Sequence, residues 1–184
     1  LGKKTRHPSC LLIGRTMSTN TQAELPLPKP KNTHMARSIL VRSRIPGMDY
    51  TINPYTGCVY GCSYCYATFM CRYVGRKTED WGSFLYPKTN LESVLRKELG
   101  RLSNRTASIF VSSVTDPYQP PEKRFCLTRK ALELLVEFRH RGLVQVLTKS
   151  PLVTRDIDLF RQLNTDVGLT ITASDDHIGR FLEG

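Results

Sequence analysis

The chain has 184 residues, 40% of them hydrophobic and 23% charged, which is enough apolar material for one globular domain and excludes wholesale disorder. No apolar run reaches the roughly 18 residues of a membrane span, and LLIG near the start is too short and lacks a signal peptide's cleavage pattern. A formal net charge of +11, from 27 Lys and Arg against 16 Asp and Glu, permits an anionic partner without establishing nucleic-acid binding.

Residues 1–35 hold six basic side chains against Glu24 alone, show no sustained period and include the extended stretch PLPKP. They read as a flexible, basic, Pro-rich leader before a domain spanning 36–184. The chain begins at Leu1, whereas Met17 opens a polar segment resembling an ordinary start, so residues 1–16 are expected to precede the true N-terminus or the sequence to be a fragment.

From Ala36 the pattern becomes orderly. Asp49–Tyr55 alternates and stops at Pro54, as a strand would. Thr89-x-x-Glu92 forms a capping box for a helix with Leu91, Val94, Leu95 and Leu99 on one face and Gly100 as its stop. Ala107–Val111 has strand length. Thr128 is placed to cap a helix carrying Ala131, Leu135 and Phe138, closed by Gly142.

Leu143–Thr148 is a further strand, Thr154 the expected cap of a helix with Ile157, Phe160 and Leu163, and Val167–Thr172 another strand. A last helix opens at Asp175. Strands alternating with helices predict βα units around a parallel sheet. Four strands are counted, and the pattern stops while still running. A truncated chain, with the last strand left at an open edge, is the expectation.

Three of the six cysteines, Cys58, Cys62 and Cys65, fall within eight residues, too close to staple distant parts of a secreted fold. The cluster reads as metal ligation in a reducing compartment, hence a cytoplasmic address. Its skeleton is C-x3-C-x2-C on a loop after a strand, with Gly57 and Gly61 permitting tight turns. Thiolates are the ligands of iron–sulfur clusters, and three of them leave one iron of a 4Fe–4S cubane without a protein ligand. The competing reading is structural zinc with Cys71 as fourth ligand. Such sites usually pair two short knuckles, and Cys71 falls where Tyr66–Tyr73 continues as a helix.

The string NPYTGCVYGCSYCYA, followed by SVTDPYQPPE and LTKSPLVTRDIDL, resembles the radical S-adenosylmethionine (SAM) superfamily, and within it the spore photoproduct lyase-like branch, over about Ala36–Gly184. The resemblance implies an α/β fold, a partial TIM-like (β/α) barrel with about four of six βα units present. It implies that Cys58, Cys62 and Cys65 hold a 4Fe–4S cluster whose fourth iron is chelated by SAM, that a flavodoxin- or ferredoxin-type carrier supplies one electron, and that SAM is cleaved to a 5′-deoxyadenosyl radical. Tyr64 would lie near the adenine, Thr115 and Asp116 near the methionine moiety, Lys149 against the SAM carboxylate, and Thr172 and Ser174 near the ribose.

Each has a plainer reading: Asp116-Pro117 as a turn starter, Lys149 as a solvated loop lysine, Thr172 and Ser174 as caps of the last helix. The substrate is unassigned. A DNA-repair photoproduct lyase and a non-enzymatic zinc or iron–sulfur module are the alternatives. His7, His34, His140 and His177 lack metal-ligand spacing, Trp81 to Tyr86 read as packing, Cys10 and Cys126 as inert thiols, and the basic run Lys123–Lys130 as a solvated helix start.

Overall fold

A computed structural model describes residues 35–183 of the chain. Nearly all of the expected leader, with Cys10 and Met17, lies outside the described residues. In chain order the elements are β1 (Leu40–Arg42), β2 (Tyr50–Ile52), β3 (Tyr55–Thr56), β4 (Tyr86–Pro87), α1 (Leu91–Arg101), β5 (Ile109–Val111), α2 (Glu122–Phe125), α3 (Leu127–Glu137), β6 (Leu143–Thr148), α4 (Ile157–Phe160), β7 (Asn164–Leu169) and α5 (Asp176–Glu183). Short 3-10 helices cover Tyr66–Val74, Thr78–Asp80 and Pro151–Asp156.

The main sheet has the order β1-β2-β5-β6-β7. Strands β2, β5, β6 and β7 are parallel, and β1 adds an antiparallel edge that no sequence period announces. Strands adjacent in the sheet follow one another in sequence, so the crossover helices gather on one face. There Leu91, Leu95 and Leu99 of α1 and Ala131, Leu132 and Leu135 of α3 form one core with Ile109, Val111, Val144 and Val146. The alternate positions, Phe110 and Leu147, face the other way, as the two-residue strand period requires. Four parallel strands with helices on one side make the partial TIM-like barrel expected from the alternation.

Several local expectations are corrected. The strand expected over Asp49–Tyr55 ends at Ile52, and Tyr55–Thr56 pairs antiparallel with β4 instead. Helix α1 starts at Leu91 with Asn90, not Thr89, before it, and it runs through Gly100 to Arg101. The Asn90 amide is occupied elsewhere, clamping both backbone groups of Ala36 at 2.9 and 2.8 Å. Thr128 lies inside α3, its hydroxyl donating to the Pro117 carbonyl, and α3 ends at Glu137, where Arg139 rather than Gly142 adopts the left-handed conformation. Ser150, not Thr154, caps the turn after β6, accepting from Leu152 N. The last strand lies three residues earlier than the apolar run Val167–Thr172 suggests.

Within the basic run Lys123–Lys130, Lys123 and Arg124 are exposed as expected, but Arg129, inside α3, is 5% exposed. It belongs to a sealed ionic hub. The Glu122 carboxylate accepts from Tyr55 Oη, from Thr128 N (3.1 Å) and Arg129 N (3.2 Å), and from Arg155 Nη2 (2.8 Å). It thereby caps α3 from the preceding turn. Asp156 accepts from Arg129 (2.8 Å), from Arg155 (2.8 Å) and from Tyr118 Oη (3.0 Å). Burial pushes the Glu122 carboxyl up, and Arg155 and Tyr55 oppose that shift.

Removing one member of a sealed ion network leaves its partners buried and unpaired. Glu122→Ala is expected to lower the unfolding free energy by about 3–5 kcal/mol, read from urea denaturation followed by far-UV circular dichroism. A loss well below 1 kcal/mol would mean that water replaces the carboxylate.

Candidate functional site

The C-terminal ends of the parallel strands carry the loops that line a cavity of about 200 Å³. The cysteine loop follows β2 and β3. It can pack closely because Gly57, at φ +91°, has no Cβ: one built there would stand 2.5 Å from the Phe84 carbonyl oxygen. Cys58 and Cys62 are buried, Cys65 is half-buried, and all three thiols line the cavity.

Two residues from the loop after β5 hold this loop in place. Thr115 Oγ1 donates to the Gly57 carbonyl (2.6 Å) and accepts from Gln119 Nε2 (2.8 Å), while Gln119 Oε1 accepts from Val59 N (3.0 Å). Asp116 is saturated. Its oxygens accept from Tyr118 N (2.8 Å), Thr148 Oγ1 (2.6 Å) and Lys149 N (2.8 Å), pinning the loop after β5 to the end of β6. The turn-starter reading therefore describes part of what Asp116 does, although it also lines the cavity. Burial raises its pKa against those hydrogen bonds.

Lys149 lines the cavity but is not an unpaired cation. Its Nζ donates to Glu183 (2.5 Å), Tyr64 Oη (2.8 Å) and Thr172 Oγ1 (2.9 Å). Burial opposes the ammonium, and the Glu183 and Tyr64 bonds outweigh it, so its pKa lies above the ordinary value. Tyr64 and Thr172 meet at Lys149, just outside the cavity lining, and Ser63 N donates to the Leu182 carbonyl at 2.9 Å, so α5 clasps the cysteine loop. Ser174 is exposed and joins neither group. Thr170, directly after the earlier-ending β7, lines the cavity in its place.

Cys71 is buried in the 3-10 helix Tyr66–Val74 and does not line the cavity. Among the described residues no three His, Cys, Asp or Glu side chains converge closely enough to hold a single metal ion. Three thiols lining one cavity are a donor set of the kind that a polynuclear inorganic group uses. Burial pushes the Cys58 thiol up to about 11 and raises Cys62 as well, against the nearby Lys149 charge. These thiols hold their protons at neutral pH unless a cationic metal group displaces them.

Sequence reasoning gave no place at the site to Tyr60, Tyr66, Trp81 and Phe110, all cavity-lining like Ser112 and Thr170. For most there is no signal beyond position after a strand. Ser112 is distinctive: it is 5% exposed, its hydroxyl has no partner, and its φ is +67°. A side chain in the left-handed region costs about 1–2 kcal/mol, and an unpaired buried hydroxyl adds to that.

The sequence profile of the radical SAM superfamily matches residues 52–184. An uncharacterized protein of Methanocaldococcus jannaschii is 39% identical over 142 residues, covering 77% of this chain and 51% of the relative. One of Mycobacterium tuberculosis is 32% identical over 139 residues, covering 73% and 40%. The chain thus spans about half the length, or less, of these relatives. Among solved structures, a mutant spore photoproduct lyase with bound AdoMet and dinucleoside spore photoproduct superposes with a TM-score of 0.57 at 18% identity, covering 74% of this chain and 38% of that one. A second mutant of that enzyme gives 0.56 at 18% identity, covering 85% and 47%.

Ser112→Gly relaxes the backbone and removes the orphan hydroxyl together. It is expected to raise stability by about 0.5–1 kcal/mol, seen as a higher Tm of the metal-free chain, with Ser112→Ala, which sheds the hydroxyl but keeps the strained backbone, gaining less. A lower Tm for the glycine variant would refute the strain.

Proposed function

The chain belongs to the radical SAM superfamily, and from that premise we propose that Cys58, Cys62 and Cys65 hold a 4Fe–4S cluster at which S-adenosylmethionine is reductively cleaved. The observation that carries this reading is the convergence of the three thiols of one C-x3-C-x2-C loop on a single cavity at the C-terminal ends of parallel strands. When bound, cluster and SAM together supply a 5′-deoxyadenosyl radical, chemistry that no side chain can furnish.

The chain's own residues bind, orient and shield. Thr115 and Gln119 fix the cysteine loop, so the three sulfurs keep one arrangement. Asp116 ties the strand ends together and lends negative potential beside Lys149. Lys149, released from Glu183, would be the cation for the SAM carboxylate, and the Tyr64 and Thr172 hydroxyls that it holds beside the cavity would serve the adenine and the ribose. Phe110 and Leu147 give the cavity an apolar floor that excludes water from a reactive radical. The likeness to spore photoproduct lyase, at 18% identity, supports the fold and leaves the substrate open.

Anaerobic reconstitution with iron and sulfide tests the reading. About four irons per chain are expected, one for each corner of the cubane, with an electronic spectrum that changes on adding SAM. Cys62→Ala is expected to take up no stable cluster, and Cys71→Ala to load as the parent does. Tight zinc uptake without iron, or loss of iron in Cys71→Ala, would overturn the ligand assignment.

A further inference from the structure

The 3-10 helix Tyr66–Val74 begins directly after Cys65 and buries only Ala67 and Cys71. Tyr66, Phe69 and Tyr73 are 68%, 39% and 65% exposed, with Tyr66 at the rim of the cavity, where its hydroxyl donates to the Ser113 carbonyl. Their rings succeed one another with centroids 6.4 Å apart in each pair, and the Arg72 guanidinium lies 5.6 Å from the Phe69 centroid and 4.9 Å from that of Tyr73. Scattered exposed rings are ordinary, whereas three in a row ridged by arginine beside a cavity mark an interaction surface. From Tyr50 to Thr78 the chain has no acidic residue, while Arg72, Arg76 and Lys77 make this stretch basic before Glu79 and Asp80 close it.

Resting on the cluster reading above, we propose that this aromatic–arginine ridge is the docking surface for an acidic electron-carrier protein that reduces the cluster. Position supports it first. Cys65 is the least buried of the three thiols and leads straight into the ridge, and electron transfer falls off steeply with distance. Composition supports it next: Tyr, Phe, Met and Arg are the types enriched at the centres of protein interfaces, and Met70 sits in the same helix. The basic charge complements an acidic carrier and speeds encounter. The patch is small, as transient redox contacts of less than about 1,200 Å² are.

A nucleic-acid strand fits less well. A strand's phosphates need a run of cations along their track, whereas the helix that carries the ridge holds one, Arg72, stacked on the Phe69 and Tyr73 rings and donating to Tyr73 Oη at 3.1 Å. In the step served by the ridge, one electron leaves the reduced carrier, which is oxidised by one unit, and enters the cluster, which is reduced by one. No bond forms or breaks.

The test is stopped-flow reduction of the anaerobically reconstituted chain by reduced flavodoxin and, separately, by reduced 2Fe–2S ferredoxin, with dithionite as the small-molecule control. For Arg72→Glu at low ionic strength the carrier rate is expected to fall about tenfold, and the parent's rate to fall with added salt. Tyr73→Ser is expected to slow the carrier several-fold, with iron content and dithionite rate as in the parent for both variants. Equal carrier rates in parent and variants, or no reduction of the iron-loaded parent by either carrier, would overturn the proposal while leaving the cluster reading intact. So would loss of affinity for a fluorescein-labelled single-stranded oligonucleotide with carrier rates unchanged, which would reassign the ridge to nucleic acid. Failure of the parent chain to take up iron at all would sink the functional reading and the docking surface together.

Discussion

Two carboxylates and two guanidiniums, sealed behind the strand ends, set the positions of the segments that carry the site. Glu122 receives Tyr55, three residues before the first cysteine of the loop. Asp156 receives Tyr118, two residues after Asp116. Arg155 and Asp156 themselves end the turn that starts just after Lys149. Cysteine loop, aspartate and lysine are thus hung from one ionic centre. Such a centre tolerates no vacancy, because desolvation makes each unpaired member expensive and each pairing direction-specific. A purely apolar plug of the same volume would bury the same surface without fixing the mutual bearing of three loops.

That fixing matters because the cavity contents are opposed by the bare protein. Ser112 carries a left-handed backbone and an unpartnered hydroxyl, and the Trp81 indole nitrogen is likewise buried without an acceptor. Lys149, in turn, is held in reserve by Glu183 rather than pointing unpaired into the cavity. Of the buried side-chain atoms without a hydrogen-bond partner among the described residues, those of Ser112 and Trp81 line the cavity, whereas those of Arg105, Arg129 and His140 lie elsewhere. The remainder of the fold must then supply the surplus stability, and the α1–α3 core beneath the sheet does so with side chains almost wholly withdrawn from water.

The sequence made the site legible where the chemistry is local. Three cysteines within eight residues announce themselves whatever the fold does, and the strand at Leu143–Thr148 is bounded in the structure as its apolar run predicts. What stayed hidden is non-local. Thr128 is a credible cap by type, yet a glutamate six residues upstream takes the orphan amides, because only folding brings it there. Arg129 looks solvated in a basic run until Asp156 and Asp158 arrive from the next βα unit. The edge strand β1 exists because Leu40 and Ile52 can pair across a turn, not because three residues have a period of their own. The shift of β7 follows the same rule: register against β6 decides where the strand ends, and so brings Thr170 rather than Thr172 to the cavity.

The ionisation of the thiols gives the loop its remaining logic. Cys58 is pushed up to about 11 chiefly by desolvation, and nearby Asp116 and Cys62 add to the shift. Burial thus favours the protonated thiol at Cys58 and Cys62 in the bare chain. On the proposed reading, a positively charged iron–sulfur core would reverse the balance, because direct metal–sulfur bonds repay the desolvation. Lys149 helps Cys62 in the same direction but, with Glu183 beside it, only partly. On that reading, burial of Cys58 and Cys62 makes loading of the loop depend on the metal displacing their protons.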